Sequence, residues 1–165
     1  TLPRSEYMPV KQLARGALIG ALYALLTFAL QPISSGLVQV RVSEALSILP
    51  WFTGAAVPGL FIGCVAANLM VGAPLYDIVF GSLATLLAAA LTRAIKKRGL
   101  SPWLAPLPAV AVNALVVGAL LTYVYEVGVP YETAALYVAA GQAIACYAVG
   151  MPLLFFLEKY RDKLF

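Results

Sequence analysis

Six side chains are polar where the surrounding sequence is apolar: Arg41, Glu44, Asn68, Asp77, Asn113 and Gln142. Carboxyl groups accept hydrogen bonds, a guanidinium donates them, and amides do both. Together they suit a flat, multiply hydrogen-bonding ligand that is neutral or cationic. Trp51, Tyr76, Tyr125 and Tyr147 offer aromatic faces on which such a ligand could stack. A polar side chain in hydrocarbon is a functional hypothesis by default. Each also has a plainer reading. Amides tie helices together in membranes, for about 0.6 kcal/mol on average, and aromatics form an interfacial belt without any ligand. Arg41 and Glu44 either pair with each other near the surface or face a ligand, and the two readings are compatible.

What is missing narrows the chemistry. The chain has no histidine, which removes Ser–His and Cys–His catalysis, HExxH zinc sites and histidine-ligated haem. No GxxxxGK[ST] loop is present to hydrolyse ATP. Asp77 and Asp162 are the only aspartates, too sparse a set for metal-dependent phosphoryl transfer. Cys64 and Cys146 lie in apolar segments and are expected to be buried free thiols. The residues therefore point to binding rather than catalysis, with no cofactor.

The elements that position these residues must be read for a membrane. The chain has 165 residues, 62% apolar and 11% charged, with mean hydropathy +0.92. Soluble domains average about 45–50% apolar and about 25% charged, so the bilayer is the expected solvent. A spanning helix needs about 20 apolar residues, and the long runs are Leu13–Leu30, Tyr76–Leu91, Trp103–Tyr125 and Thr133–Leu157. Leu13–Leu30 is too long for a signal peptide and lacks its small-residue cleavage site. Pro50, Gly54, Pro58 and Gly59 divide the remaining apolar stretch into two shorter helices, Ser43–Phe52 and Pro58–Met70, with Pro58 in a first turn. The expected fold is an all-α membrane protein, a compact bundle of six transmembrane helices forming one domain over 1–165. Before the first short helix, Leu37–Ser43 alternates apolar and polar residues and predicts an extended segment. Such a segment is a candidate lid, with Ser43 capping the helix that Glu44 opens.

Charge sets the orientation. With the N-terminus inside, ten of the eleven basic residues fall on the inner side, and only Arg41 lies outside. Glu44, Asp77, Glu126 and Glu132 fall at or near the outer side. This positive-inside pattern predicts cytoplasmic N- and C-termini, and it makes the basic runs a topology signal rather than a nucleic-acid patch. In this orientation the polar residues can all face one cavity in the outer half. On the first helix, Gly16, Gly20 and Ala24 recur at four-residue spacing beside Ala17 and Ala21. Such a small-residue face serves either packing within the bundle or docking of a separate membrane subunit.

The stretch Gln39-Val40-Arg41-Val42-Ser43-Glu44-Ala45-Leu46-Ser47-Ile48-Leu49-Pro50 resembles the QueT family, the substrate-binding (S) components of energy-coupling factor transporters assigned to queuosine precursors. The similarity continues through Pro58–Cys64, Asn68, Gly72–Thr85, Leu104–Pro108, Asn113–Leu115 and Cys146–Leu153, over nearly the whole chain. The resemblance implies a six-helix S component in a prokaryotic cell membrane, with its pocket near the outer face. Its implied partners are a transmembrane coupling subunit, EcfT, and two ATPases, with Gly16, Ala17, Gly20, Ala21 and Ala24 as the docking face. The implied ligand is a 7-deazaguanine. Glu44 and Asp77 would take its charged contacts, Asn68, Asn113 and Gln142 its edges, and Trp51 or Tyr147 its ring face, with Arg41 a further candidate for substrate binding. An S component for another vitamin-like solute and a stand-alone secondary carrier are the alternatives.

Overall fold

A computed structural model describes residues 4–33 and 40–165. Among the described residues the fold is all helical. The first helix, α1 (Arg4–Ala29), is followed by a 3-10 helix (Val42–Trp51) and by α2 (Ala56–Met70). A π-helical turn, Asp77–Gly81, leads into α3 (Ser82–Lys97), and a short 3-10 turn (Pro102–Leu104) precedes α4 (Leu107–Ala119). α4 continues as a second π-helical turn, Leu120–Val124. Then α5 (Tyr131–Ala143), a third π turn (Ile144–Val149) and α6 (Gly150–Lys159) run on as one rod, and α7 (Arg161–Leu164) closes the chain.

Among the described residues four rods are long and apolar enough to cross a membrane: Pro9–Ala29, Asp77–Lys97, Pro102–Val124 and Tyr131–Lys159. They carry outward-facing leucines, among them Leu13, Leu25, Leu87, Leu115 and Leu136. Such a surface is stable only against acyl chains. Among the described residues, seven α-helical segments with four candidate spans thus stand where six spanning helices are expected. The two short elements account for the difference. Ten 3-10 residues at about 2.0 Å each rise about 20 Å, and the 15 residues of α2 rise about 22 Å. The hydrocarbon layer is about 30 Å thick.

The 3-10 helix is the core of the bundle. Nine of its ten residues, Ser43 to Trp51, are buried. It packs against α1, α2, α3, α6 and the third π turn. Of the expected extended segment, residues 37–39 lie outside the described residues. Of its described part, Arg41 is extended, but Val42 and Ser43 are already helical. Ser43 therefore does not cap the helix. Arg41 occupies that position, and Ser43 Oγ instead accepts from Thr27 Oγ1 at 2.7 Å.

The small residues of α1 fix its partner. A Cβ added at Gly63 would lie 2.7 Å from Gly20 Cα, and one at Gly59 would lie 2.6 Å from the Gly16 carbonyl oxygen. α1 and α2 thus cross backbone to backbone, which only glycine allows.

Candidate functional site

Helix ends and the turn Val71–Pro74 meet at one end of the bundle around a cavity of about 410 Å3. Thr27 and Gln31 line it from the end of α1, Arg41 from the start of the 3-10 helix, and Asn68 from the last turn of α2. Asp77 and Gly81 come from the first π turn, and Leu121 and Tyr125 from the second π turn and its end. A π turn widens a helix by one residue and is frequent at functional sites. Here two of the three border the same space.

Arg41 Nη2 donates to Asn68 Oδ1 at 3.2 Å, and Asn68 Nδ2 donates to the Asp77 carbonyl at 3.1 Å. Asn68 thus fixes the guanidinium with one end of its amide and the Asp77 backbone with the other. Burial works against charge on Arg41, but Tyr23, Cys64, Glu44 and Asp77 around it more than offset this and raise its pKa above the ordinary value. Arg41 stays cationic. Tyr125 lies one residue beyond its span. Burial, and then the Asp77 carboxylate beside it, push its phenol up to about 12, so it keeps its proton at neutral pH.

Buried polar atoms in folded proteins nearly always have partners. Among the described residues four do not: Arg41 Nε, Ser82 Oγ, Thr122 Oγ1 and Tyr125 Oη. Arg41 and Tyr125 line the cavity. Ser82 follows Gly81 directly, and Thr122 follows Leu121 within the second π turn. Two of the four orphans thus belong to cavity-lining residues, and the other two stand next to such residues in the chain.

Glu44, Asn113 and Gln142 gather elsewhere. Glu44 is 2% exposed, and its carboxyl group accepts from Tyr23 Oη on one oxygen and from Asn113 Nδ2 at 3.4 Å on the other. Cys146 Sγ lies 3.5 Å from the Glu44 carbonyl oxygen and 3.7 Å from Gln142 Oε1. These residues form a filled polar knot joining α1, the 3-10 helix, α4 and the last rod, and none of them lines the cavity. Trp51 and Tyr147 line neither region. Trp51 ends the 3-10 helix ten residues from Arg41, about 20 Å away, with Lys96 Nζ 4.4 Å over its ring. Tyr147 is half-buried against the core and donates to the Trp103 carbonyl at 3.1 Å.

Sequence reasoning passed over Tyr23, Thr27 and Gln31. The first two are buried on α1, and their spacing of four puts them on one helical face. That polar stripe within an apolar run is the signal that could have found them. Cys64 and Cys146 are free and buried. Among the described residues no group of His, Cys, Asp or Glu is placed to hold a metal ion.

The small-residue face of α1 divides between two surfaces. Gly16 and Gly20 are buried against α2, whereas Ala17 and Ala21 are exposed. Together with Pro58, Ile62 and Ala66 of α2 they form the walls of an apolar groove of about 650 Å3.

Apolar rods of membrane length, a solute-sized cavity at one end and unpartnered donors on its walls define a multi-pass membrane protein built to receive a small molecule. The family model of the QueT transporter matches residues 13–159, and the chain belongs to that family. It is thus a transport protein rather than an enzyme. No curated protein and no solved structure matches the chain.

Proposed function

We propose that the chain is the S component of an ATP-driven, energy-coupling-factor importer and captures a queuosine precursor, a 7-deazaguanine, in the cavity walled by Arg41, Asn68, Asp77 and Tyr125. The observation that supports this reading is that two of the four polar atoms unpartnered among the described residues, Arg41 Nε and Tyr125 Oη, belong to residues that line that cavity. A ligand completes what the protein leaves unpaired. The volume of about 410 Å3 lies within the roughly 300–1,000 Å3 of small-molecule sites.

Each wall residue has a complementary atom on a deazaguanine. The Asp77 carboxylate accepts from adjacent N–H donors or from a cationic aminomethyl arm. Arg41 Nε donates to the ring carbonyl. The Tyr125 hydroxyl closes the same edge, and Asn68 holds Arg41 in register. Glu44, Asn113 and Gln142 support the wall from behind. Their polar groups are already occupied by one another and by Tyr23 and Cys146.

In this reading the 3-10 helix and α2 complete a six-element, single-domain bundle in a prokaryotic cell membrane. The termini and the basic linker face the cytoplasm, and the cavity faces outward. The α1–α2 groove, with Ala17 and Ala21 on its rim, receives a helix of the coupling subunit EcfT. ATP hydrolysis belongs to two partner ATPases.

Calorimetric titration of the purified protein tests the ligand against a panel of 7-cyano- and 7-aminomethyl-7-deazaguanine, queuine, guanine and common vitamins. Saturable binding confined to the deazapurines is expected. Tight binding of a vitamin alone would reassign the substrate. Uptake by the chain alone in liposomes, driven by an ion gradient without ATPase partners, would make it a secondary carrier instead.

A further inference from the structure

At the end of the bundle opposite the cavity, we infer a binding site for one anionic phospholipid, with its phosphate on Lys96 and an acyl chain along Trp103 and Phe155. The last turn of α3 carries Lys96 and Lys97. Gly99, at φ +68, then reverses the chain, with Leu100 N donating to the Ile95 carbonyl. The reversal sets the Pro102–Leu104 turn beside α6 and leaves a groove of about 310 Å3, with Trp51, Lys96, Phe155 and Glu158 among its walls.

The groove has a polar half and an apolar half. In the polar half, Lys96 is held in place, its ammonium 4.4 Å from the centre of the buried Trp51 ring. Among the described residues no carboxylate lies within ion-pair distance of it. The acid of the groove, Glu158, is taken by Arg161 at 3.4 Å. Lys97, Arg98 and Lys159 stand exposed close by in sequence to these walls. A fixed, uncompensated cation among further cations is the complement of a phosphate.

The apolar half decides what carries that phosphate. Trp103, 58% exposed, meets Phe155, 47% exposed, edge to face at 5.6 Å between centroids. Phe156 and Leu100 are exposed beside them. Large apolar side chains on the outer face of a membrane bundle meet acyl chains, and tryptophan favours the headgroup boundary. The juxtaposition of cation and apolar wall selects a lipid over a soluble anion.

Native mass spectrometry of the full chain, released from detergent with equal amounts of phosphatidylglycerol and phosphatidylcholine, tests this. One phosphatidylglycerol is expected to be retained in preference to phosphatidylcholine. Lys96→Gln should weaken that retention about fivefold, the worth of one cation near an anionic headgroup, and Lys96→Arg should restore it. Lys11→Gln, which removes a basic residue elsewhere on the chain, should leave it unchanged. Equal retention of the two lipids, equal loss in Lys96→Gln and Lys11→Gln, or displacement by inorganic phosphate would each overturn the site. None of these outcomes bears on deazapurine binding, so the two readings stand or fall separately.

Discussion

Replacing Arg41 by Gln separates a ligand contact from a structural one. Among the described residues Arg41 makes a single side-chain hydrogen bond, to Asn68 at 3.2 Å, and its Nε has no partner. Gln retains an N–H donor for Asn68 and removes the orphan. Gln also removes a cation that Glu44 and Asp77 help to hold, so the free protein should lose about 1 kcal/mol, as for a typical substitution. With ligand bound, the lost hydrogen bond is charge-assisted and worth about 1.5–3 kcal/mol, or about 10- to 150-fold in Kd. Thermal unfolding with and without deazapurine reads both quantities at once. At a ligand concentration of 100 times the wild-type Kd, the wild type gains about 2.7 kcal/mol. By the same relation the variant gains only between about 1.4 and about 0.3 kcal/mol. An undiminished gain in Arg41→Gln, or a loss in the free protein larger than the ligand-linked loss, would refute the assignment of Arg41 to the ligand.

Four further substitutions probe the surrounding parts. Asp77→Asn should weaken 7-aminomethyl-7-deazaguanine at least about tenfold and the neutral 7-cyano analogue much less in calorimetric titration; equal losses would remove the charge pairing. Tyr23→Phe leaves one Glu44 oxygen without its donor inside the bundle. It should cost about 1–3 kcal/mol in thermal stability, and an unchanged melting temperature would show that the knot is not structural. Gly63→Ala sets a methyl group 2.7 Å from the Gly20 backbone, where nothing flexible can yield. It should lower thermal stability by about 1–3 kcal/mol. Gly81→Ala, whose Cβ would meet Asn68 Nδ2 at an ordinary 3.6 Å, should fold as the wild type does.

The rods were legible in the sequence because hydrocarbon demands long apolar runs, and Tyr76–Leu91 and Trp103–Tyr125 fall on two of the four observed spans. Asn68 and Asp77 were legible as neighbours because only the short turn Val71–Pro74 separates the end of α2 from the start of the next rod. The winding of the helices was not legible. Apolar periodicity does not distinguish an α-helix from a 3-10 helix when every face is buried, as it is from Ser43 to Trp51. That winding carries Trp51 to the far end from Arg41. Nor does periodicity reveal π turns, whose extra residue brings Asp77 and Tyr125 to the same cavity. The division among the polar residues was hidden for a related reason. Glu44 and Asp77 are both carboxyl groups beside amides in sequence, and only packing shows that Tyr23, invisible within an apolar run, has already claimed the first.

That division is the strongest physical argument for where the ligand goes. A bilayer offers no water to a stranded donor, so a membrane protein must satisfy each buried polar group internally or reserve it for something that arrives. The knot around Glu44 follows the first rule. Its carboxyl group, its backbone carbonyl, Thr27, Ser43 and Ser47 all have partners within the protein. Around Arg41 the second rule applies among the described residues: its Nε is buried without a partner on the cavity wall, and leaving such a group unpaired costs about 1–3 kcal/mol. A bundle selected for stability alone would fill this space with apolar side chains, as it does around Leu60 and Leu154. The destabilisation is tolerated where a ligand that brings a carbonyl and N–H groups can remove it, and the same destabilisation makes the bound state favourable.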